Sequence, residues 1–164
     1  AAGALARQAG YAVLDLGDRV EGEAREVARD HAEMALAIAA GRHELGAPAV
    51  VLSGGETTVT MRGRGRGGRN AEYALALALA LGEHPRVWGI AGDTDGIDGS
   101  EDNAGALVAP DTLARARTAG IDAAARLADN DAYGFFATLG DLVVTGPTLT
   151  NVNDFRAILV DASA

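Results

Sequence analysis

Hydrophobic and polar positions change period several times along this chain, and each change marks an element. Residues 1–9 have helical spacing that Gly10 stops, and residues 11–16 alternate as a strand does. Over residues 23–40, Ala24, Val27, Ala28, His31, Ala35 and Ile38 form one helical stripe, with Glu26, Arg29, Asp30 and Glu33 opposite, and Gly41 closes the helix. His31 falls on the inner stripe, which favours a hydrogen-bonded, partly buried histidine over a ligand. His43 and His84 fall in loops. Strands are predicted at 49–53 and 57–62, then a helix at 70–81 so apolar that it must be covered on most sides. A strand at 87–91 carries Trp88, read as a packing residue, and an acidic, glycine-rich loop follows at 93–105. Asp111 or Thr112 can cap a helix running towards Gly120, and a short helix follows at 122–127. Another occupies 131–139, capped by Asn130 or Asp131 with Phe135 and Phe136 inward, and strands at 142–145 and 155–160 close the chain. No repeat is visible. The alternation of strands and helices predicts an α/β fold, a layered α/β/α domain with a mixed sheet.

Composition narrows the partners. At 164 residues the chain can bury one real core, and its net charge of −9 argues against nucleic acid. The absence of cysteine excludes disulfides and thiolate metal sites and agrees with a cytoplasmic setting. Apolar runs are too short and too alanine-rich for a membrane span. The first residue is Ala1 rather than methionine, and a helical phrase begins at once, so an N-terminal portion is expected to precede it.

Against that acidic background stands 53–70, SGGETTVTMRGRGRGGRN, with six glycines and four arginines in eighteen residues. It lies between a β-branched run and a helix. Glycines let backbone N–H groups turn towards a ligand, a helix start adds partial positive charge, and arginines offer forked donors, so the stretch reads as an oxyanion site, phosphate above all. Gly63-x-Gly65-x-x-Gly68 formally fits the dinucleotide fingerprint, with Asp93 as the ribose acid, although Arg64 and Arg66 would crowd its turn. Gly63-x-x-x-x-Gly68-Arg69-Asn70 has phosphate-loop spacing with Arg and Asn in place of Lys and Ser or Thr. A mobile, solvated Arg-Gly loop is the plain alternative.

Two further stretches carry polar groups. GDTDGIDGSEDN sets Asp93, Asp95, Asp98, Glu101 and Asp102 within ten residues, a density that suits a hard cation such as magnesium beside phosphates. Ile97 breaks the calcium-hand register, and an Asp/Gly turn bonding its own backbone is the competing reading. TGPTLTNVND, 145–154, supplies hydroxyls, amides and a carboxylate on a turn. No serine, histidine and aspartate set of hydrolytic pattern is present.

Taken as one ordered string, SGGETTVTMRGRGRGGRNAEYALALAL, GIAGDTDGIDGSEDNAGA and NDAYGFFATLGDLVVTGPTLTNVNDF resemble the MOFRL domain. That is the C-terminal domain of the glycerate 2-kinase family, whose members are often labelled hydroxypyruvate reductases. The resemblance implies that residues 1–45 lead in from a missing N-terminal domain, that 46–164 form the MOFRL-like unit, and that ATP phosphorylates glycerate with Mg2+ in the cleft between domains. It implies Arg69 as the catalytic cation and Asp93, Asp95 and Asp98 as metal contacts. It places Ser53, Gly54, Gly55, Glu56, Thr57, Gly67, Gly68, Asn70, Thr148, Asn151, Asn153 and Asp154 on substrate or nucleotide. Leu149 departs from the family pattern, where a smaller or more flexible residue is usual. Expected partners are glycerate, the missing domain and, as an open possibility, a second copy, with no nucleic acid and no membrane. A half cleft is expected to be inactive alone. The reductase and a non-catalytic anion-binding or assembly module remain the alternatives.

Overall fold

The computed structural model describes residues 1–162. The chain runs α1 (Ala2–Gln8), β1 (Ala12–Asp15), β2 (Val20–Glu23), α2 (Ala24–Ala39), β3 (Ala49–Thr58) and α3 (Arg69–Leu81). It continues through β4 (Val87–Asp93), β5 (Gly105–Val108), α4 (Thr112–Thr118), α5 (Ala123–Ala128), α6 (Ala132–Leu139), β6 (Leu142–Val143) and β7 (Asp154–Val160). One mixed sheet has the order β1-β3-β7-β4-β5-β6, with β2 beside the far half of β3. β1 and β2 run parallel to β3, whereas β7 is antiparallel to both β3 and β4 and lies between them. This is the predicted α/β class.

The two faces of the sheet differ. Alternate residues of β7 (Arg156, Ile158, Val160) and β4 (Val87, Ala91) point into the main core, where α2 and α3 cover them. α3 is buried along nearly its whole length, as its unbroken ALALALAL phrase requires, because α2, α4, α5 and α6 pack around it. Phe135 and Phe136 are fully buried and meet edge to face. On the other face α1 packs on β1 and β3, and Trp88, Leu107 and Phe155 remain exposed. Trp88, expected to pack, is 36% exposed there.

Three assignments change. The strands expected at 49–53 and 57–62 are one strand, β3, which stays extended through Ser53-Gly54-Gly55 and pairs with β7 as far as Gly55 opposite Asp154. Glycine permits this, because a Cβ on Gly55 would lie 2.3 Å from the carbonyl oxygen of Val20 in β2. β2 and β5 were not foreseen. Each has four residues, too few for a period to show, and each is a strand because a neighbour accepts it. Asp131 occupies the N-cap position of α6 but makes no capping bond, since its carboxylate turns to Arg126 and to the backbone N–H of Arg66.

Candidate functional site

The polar stretches converge at one end of the central strands, where β3 and β4 end, β7 begins and α3 starts. Gly55, Asp154 and Asp93 are register partners across these three strands, so the two aspartates are direct cross-strand neighbours on one face. Like charges at that spacing repel. Arg69, the first residue of α3, relieves them. Its Nη2 donates to Asp93 Oδ2 at 2.5 Å and its Nε to Asp154 Oδ1 at 3.0 Å. Burial opposes the charge on Arg69, but the bonds and charges of Asp154, and then the charge of Asp93, outweigh it and raise its pKa. The guanidinium keeps 23% of its side-chain exposure, whereas the carboxylates of Asp93 and Asp154 keep 4% and 0%. An anion therefore meets the arginine before the acids.

Asn70 extends the arrangement inward, its Nδ2 donating to Asp154 Oδ1 at 2.8 Å. Asp154 is also held from the other side, because Arg156 Nη2 donates to Oδ2 at 2.5 Å and to Thr57 Oγ1 at 3.3 Å. Arg156 is 1% exposed, lies 5.3 Å over the ring of Tyr73 and completes a row of alternating charge, Arg156, Asp154, Arg69, Asp93. Behind it, Tyr73 Oη and His31 Nδ1 share a hydrogen bond of 2.8 Å. Burial, with the charge of Arg156, pushes His31 down to about 4, so it is neutral, and burial raises Tyr73. His31 is the buried, bonded core histidine that its stripe position predicted.

Two expectations about where an anion would sit are corrected. The start of α3 already holds one, since the backbone N–H groups of Asn70 and Ala71 donate to Asp98 Oδ1 and Oδ2 at 3.0 and 2.8 Å. Asp98 is 0% exposed, and burial raises its pKa. Both oxygens accept from the helix start, so Asp98 acts as the N-terminal acceptor of α3. Gly68 belongs to the same contact, because a Cβ there would lie 2.3 Å from Asp98 Oδ1.

The Arg-Gly loop likewise folds onto its own chain. The N–H groups of Arg62 and Gly63 donate to Asn130 Oδ1, that of Arg64 to Asp129 Oδ1, that of Gly65 to the Asp129 carbonyl and that of Arg66 to Asp131 Oδ1. Its glycines make room for this backbone approach, a Cβ on Gly63 or Gly65 falling 2.3 Å from Asp129 O or 2.4 Å from Asp131 Cβ. Gly67 lies against Tyr133. Neither a dinucleotide turn nor a phosphate loop is formed. Arg62, Arg64 and Arg66 are exposed, and Arg66 pairs with Glu101 over the ring of Tyr133.

The remaining predicted residues frame this end. Ser53 is buried, Gly54 lies under Asp18 and the Asp154 carbonyl, and Glu56 is exposed with its charge felt at Arg69. Ser53, Gly54, Asp15, Asp18, Thr94, Val152 and Phe155 help line a cleft of about 640 Å³ on the face that α1 partly covers. Thr148 is tied to the Asp93 turn, its N–H donating to the Asp95 carbonyl and its Oγ1 to the Thr94 carbonyl. Asn151 Oδ1 accepts from the N–H of Asn153, whose carbonyl accepts from Thr94 Oγ1. Leu149 has φ 61° and is 97% exposed, a conformation that a smaller, more flexible residue adopts with less strain. Among the described residues no three His, Cys, Asp or Glu side chains are grouped to hold a metal. Asp93 bonds Arg69, and Asp95 engages one oxygen with the N–H of Ile97, so the donor set fits a magnesium carried on phosphates with Asp95 as its protein carboxylate.

Sequence reasoning missed Arg156 and the buried set Arg25, Glu72 and Asn130, in which Arg25 Nε meets Glu72 Oε1 at 2.5 Å and Asn130 Nδ2 meets both Glu72 oxygens at 3.1 Å. The signal was present as one carboxylate in an otherwise apolar helix and one arginine on an inward strand position.

Residues 49–154 match the MOFRL family. The chain belongs to that family. A protein of Agrobacterium vitis that bears the name hydroxypyruvate reductase is 59% identical over 98% of this chain, and the glycerate 2-kinase of Pyrococcus horikoshii is 35% identical over 96%. The chain spans only 37% and 36% of the lengths of these MOFRL relatives. The crystal structure of glycerate kinase from Thermotoga maritima superposes with a TM-score of 0.93 at 37% identity, covering 97% of this chain and 38% of that one. No helix among the described residues is long and apolar enough to cross a membrane.

Proposed function

We propose that this MOFRL chain supplies one wall of a glycerate kinase cleft, in which the γ-phosphoryl of ATP passes to a glycerate hydroxyl. The observation that carries the reading is Arg69, a guanidinium 23% exposed whose direction is fixed by a helix start and two buried carboxylates. A cation held in this way needs no reorganisation when charge develops on a transferring phosphoryl group, which is where preorganised charge lowers a barrier most. Asp154 and Asn70 hold the arginine and its partner. Ser53, Gly54 and Gly55, with Glu56 and Thr57 beside them, form the floor, and Thr148, Asn151 and Asn153 the opposite rim. Asp95, with Asp93 behind it, would hold magnesium, which when bound neutralises phosphate charge. The names of the relatives support kinase chemistry in the family, while ATP, magnesium, glycerate and a cytoplasmic setting belong to this proposal. The remaining length of the relatives fits a second wall from an N-terminal domain, so the isolated chain is expected to release no ADP. The reductase reading has relatives' names behind it, but its glycine fingerprint lies against Asp129–Asp131 and Asp98.

The full-length protein carrying this chain should release ADP from ATP and glycerate, and should oxidise neither NADH nor NADPH with hydroxypyruvate. Reduced nicotinamide consumption without ADP release would overturn the kinase in favour of the reductase.

A further inference from the structure

Arg69 faces two carboxylates, Asp93 and Asp154, and by itself could not leave the strand ends receptive to a polyanion. Two negative groups within bonding distance of one guanidinium leave a net negative cluster, and Glu56 adds to it. The second positive charge comes from beneath. Arg156 is 1% exposed on β7, two residues from Asp154, and its Nη2 reaches Asp154 Oδ2 at 2.5 Å while Arg69 and Asn70 take Oδ1. Among the described residues its Nε and Nη1 have no hydrogen-bond partner, and the guanidinium carbon lies 5.3 Å from the centroid of the Tyr73 ring. A buried arginine with two unpartnered nitrogens is costly, so its place must rest on the one strong pairing it makes. The other groups facing it are Thr57, through Oγ1, and His31, whose ring bonds the Tyr73 hydroxyl.

We infer that Arg156 is a positioning residue of the anion-binding site: by neutralising Asp154 from below, it leaves the charge of Arg69 directed outward to the ligand rather than absorbed by two acids. This rests on the proposed reading of Arg69 as the cation that meets phosphate. Arg156 touches no ligand itself and acts through Asp154.

The test uses the full-length protein with Arg156→Met, Arg156→Lys, Asp154→Asn and the double variant Arg156→Met/Asp154→Asn, each checked by thermal melting. Two quantities are read, binding of inorganic tripolyphosphate by calorimetry and kcat with ATP and glycerate. Removing Arg156 should weaken tripolyphosphate binding about tenfold and lower kcat roughly 30-fold, as expected for one uncompensated buried charge. Adding Asp154→Asn removes that charge and should recover at least about fivefold of the binding loss, a coupling that a double-mutant cycle isolates, while kcat stays low because Asp154 also fixes Arg69. If Arg156→Met does not fold, Arg156→Lys keeps the charge and should bind tripolyphosphate within about threefold of wild type, because Arg156 meets Asp154 through Nη2 alone and the effect is one of net charge. A binding loss that the second substitution deepens, a Lys variant that folds but binds no better than tenfold below wild type, or a wild type that binds no tripolyphosphate would each overturn the inference. Absence of ADP release by the wild type would instead remove the kinase reading while the binding comparison still judges Arg156.

Discussion

The start of α3 and the loop that leads into it carry the same residue types and put them to opposite uses. In the loop, residues 62–67, arginine side chains point to solvent while backbone N–H groups turn inward to Asn130, Asp129 and Asp131. At the helix start the backbone N–H groups are likewise taken, by Asp98, but the side chain of Arg69 is held by Asp93 and Asp154. Four arginines within eight residues are therefore not one positive island. What separates Arg69 from Arg64 is fixation. A long exposed side chain contributes a diffuse, screened field, whereas one fixed by a helix and two buried acids contributes a charge at a defined point.

The sharpest way to break this contrast is Arg69→Ala in the full-length protein. A fixed transition-state charge predicts a fall in kcat of roughly 10³-fold, about 4 kcal/mol, with poor rescue by lysine, which lacks the planar fork. Steady-state kinetics decide, and a change confined to KM would reduce Arg69 to ground-state binding.

Next in size is Gly65→Ala, which tests whether the loop glycines serve packing. Its Cβ would fall 2.4 Å from Asp131 Cβ, so thermal melting should report a loss of about 2 kcal/mol, as for an overpacked contact. Unchanged stability combined with weakened nucleotide binding would return the glycines to a ligand role.

Smallest is Arg64→Ala, expected to change kcat/KM by less than about threefold and to lose even that effect in 0.5 M salt, where screening is nearly complete. An effect equal to that of Arg69→Ala would erase the distinction.

Local periodicity alone specified a good deal. The apolar stripe of α2 placed His31 in the core, the unbroken apolar phrase of α3 required a central helix, and the paired phenylalanines of α6 pointed inward as read. These are consequences of spacing, because burying one face of a helix needs only the residues on that face. The ordered string of glycines, acids and amides also marked the family, as the match over residues 49–154 shows.

What the tertiary structure decided is which polar groups meet. Arg69 lies 24 residues from Asp93 and 85 from Asp154, and their contact exists only because β7 inserts between β3 and β4. Asp98 sits in an acidic run that reads as a metal loop, yet it closes a helix start 28 residues earlier in the chain. Arg156 is one charge in the last predicted strand, and its role follows only from β7 lying between β3 and β4, with the Tyr73 ring against its guanidinium. A hydrogen bond or ion pair depends on a few ångströms between groups distant in sequence. Periodicity encodes which face a residue turns to, whereas its partner is fixed only when the sheet order is.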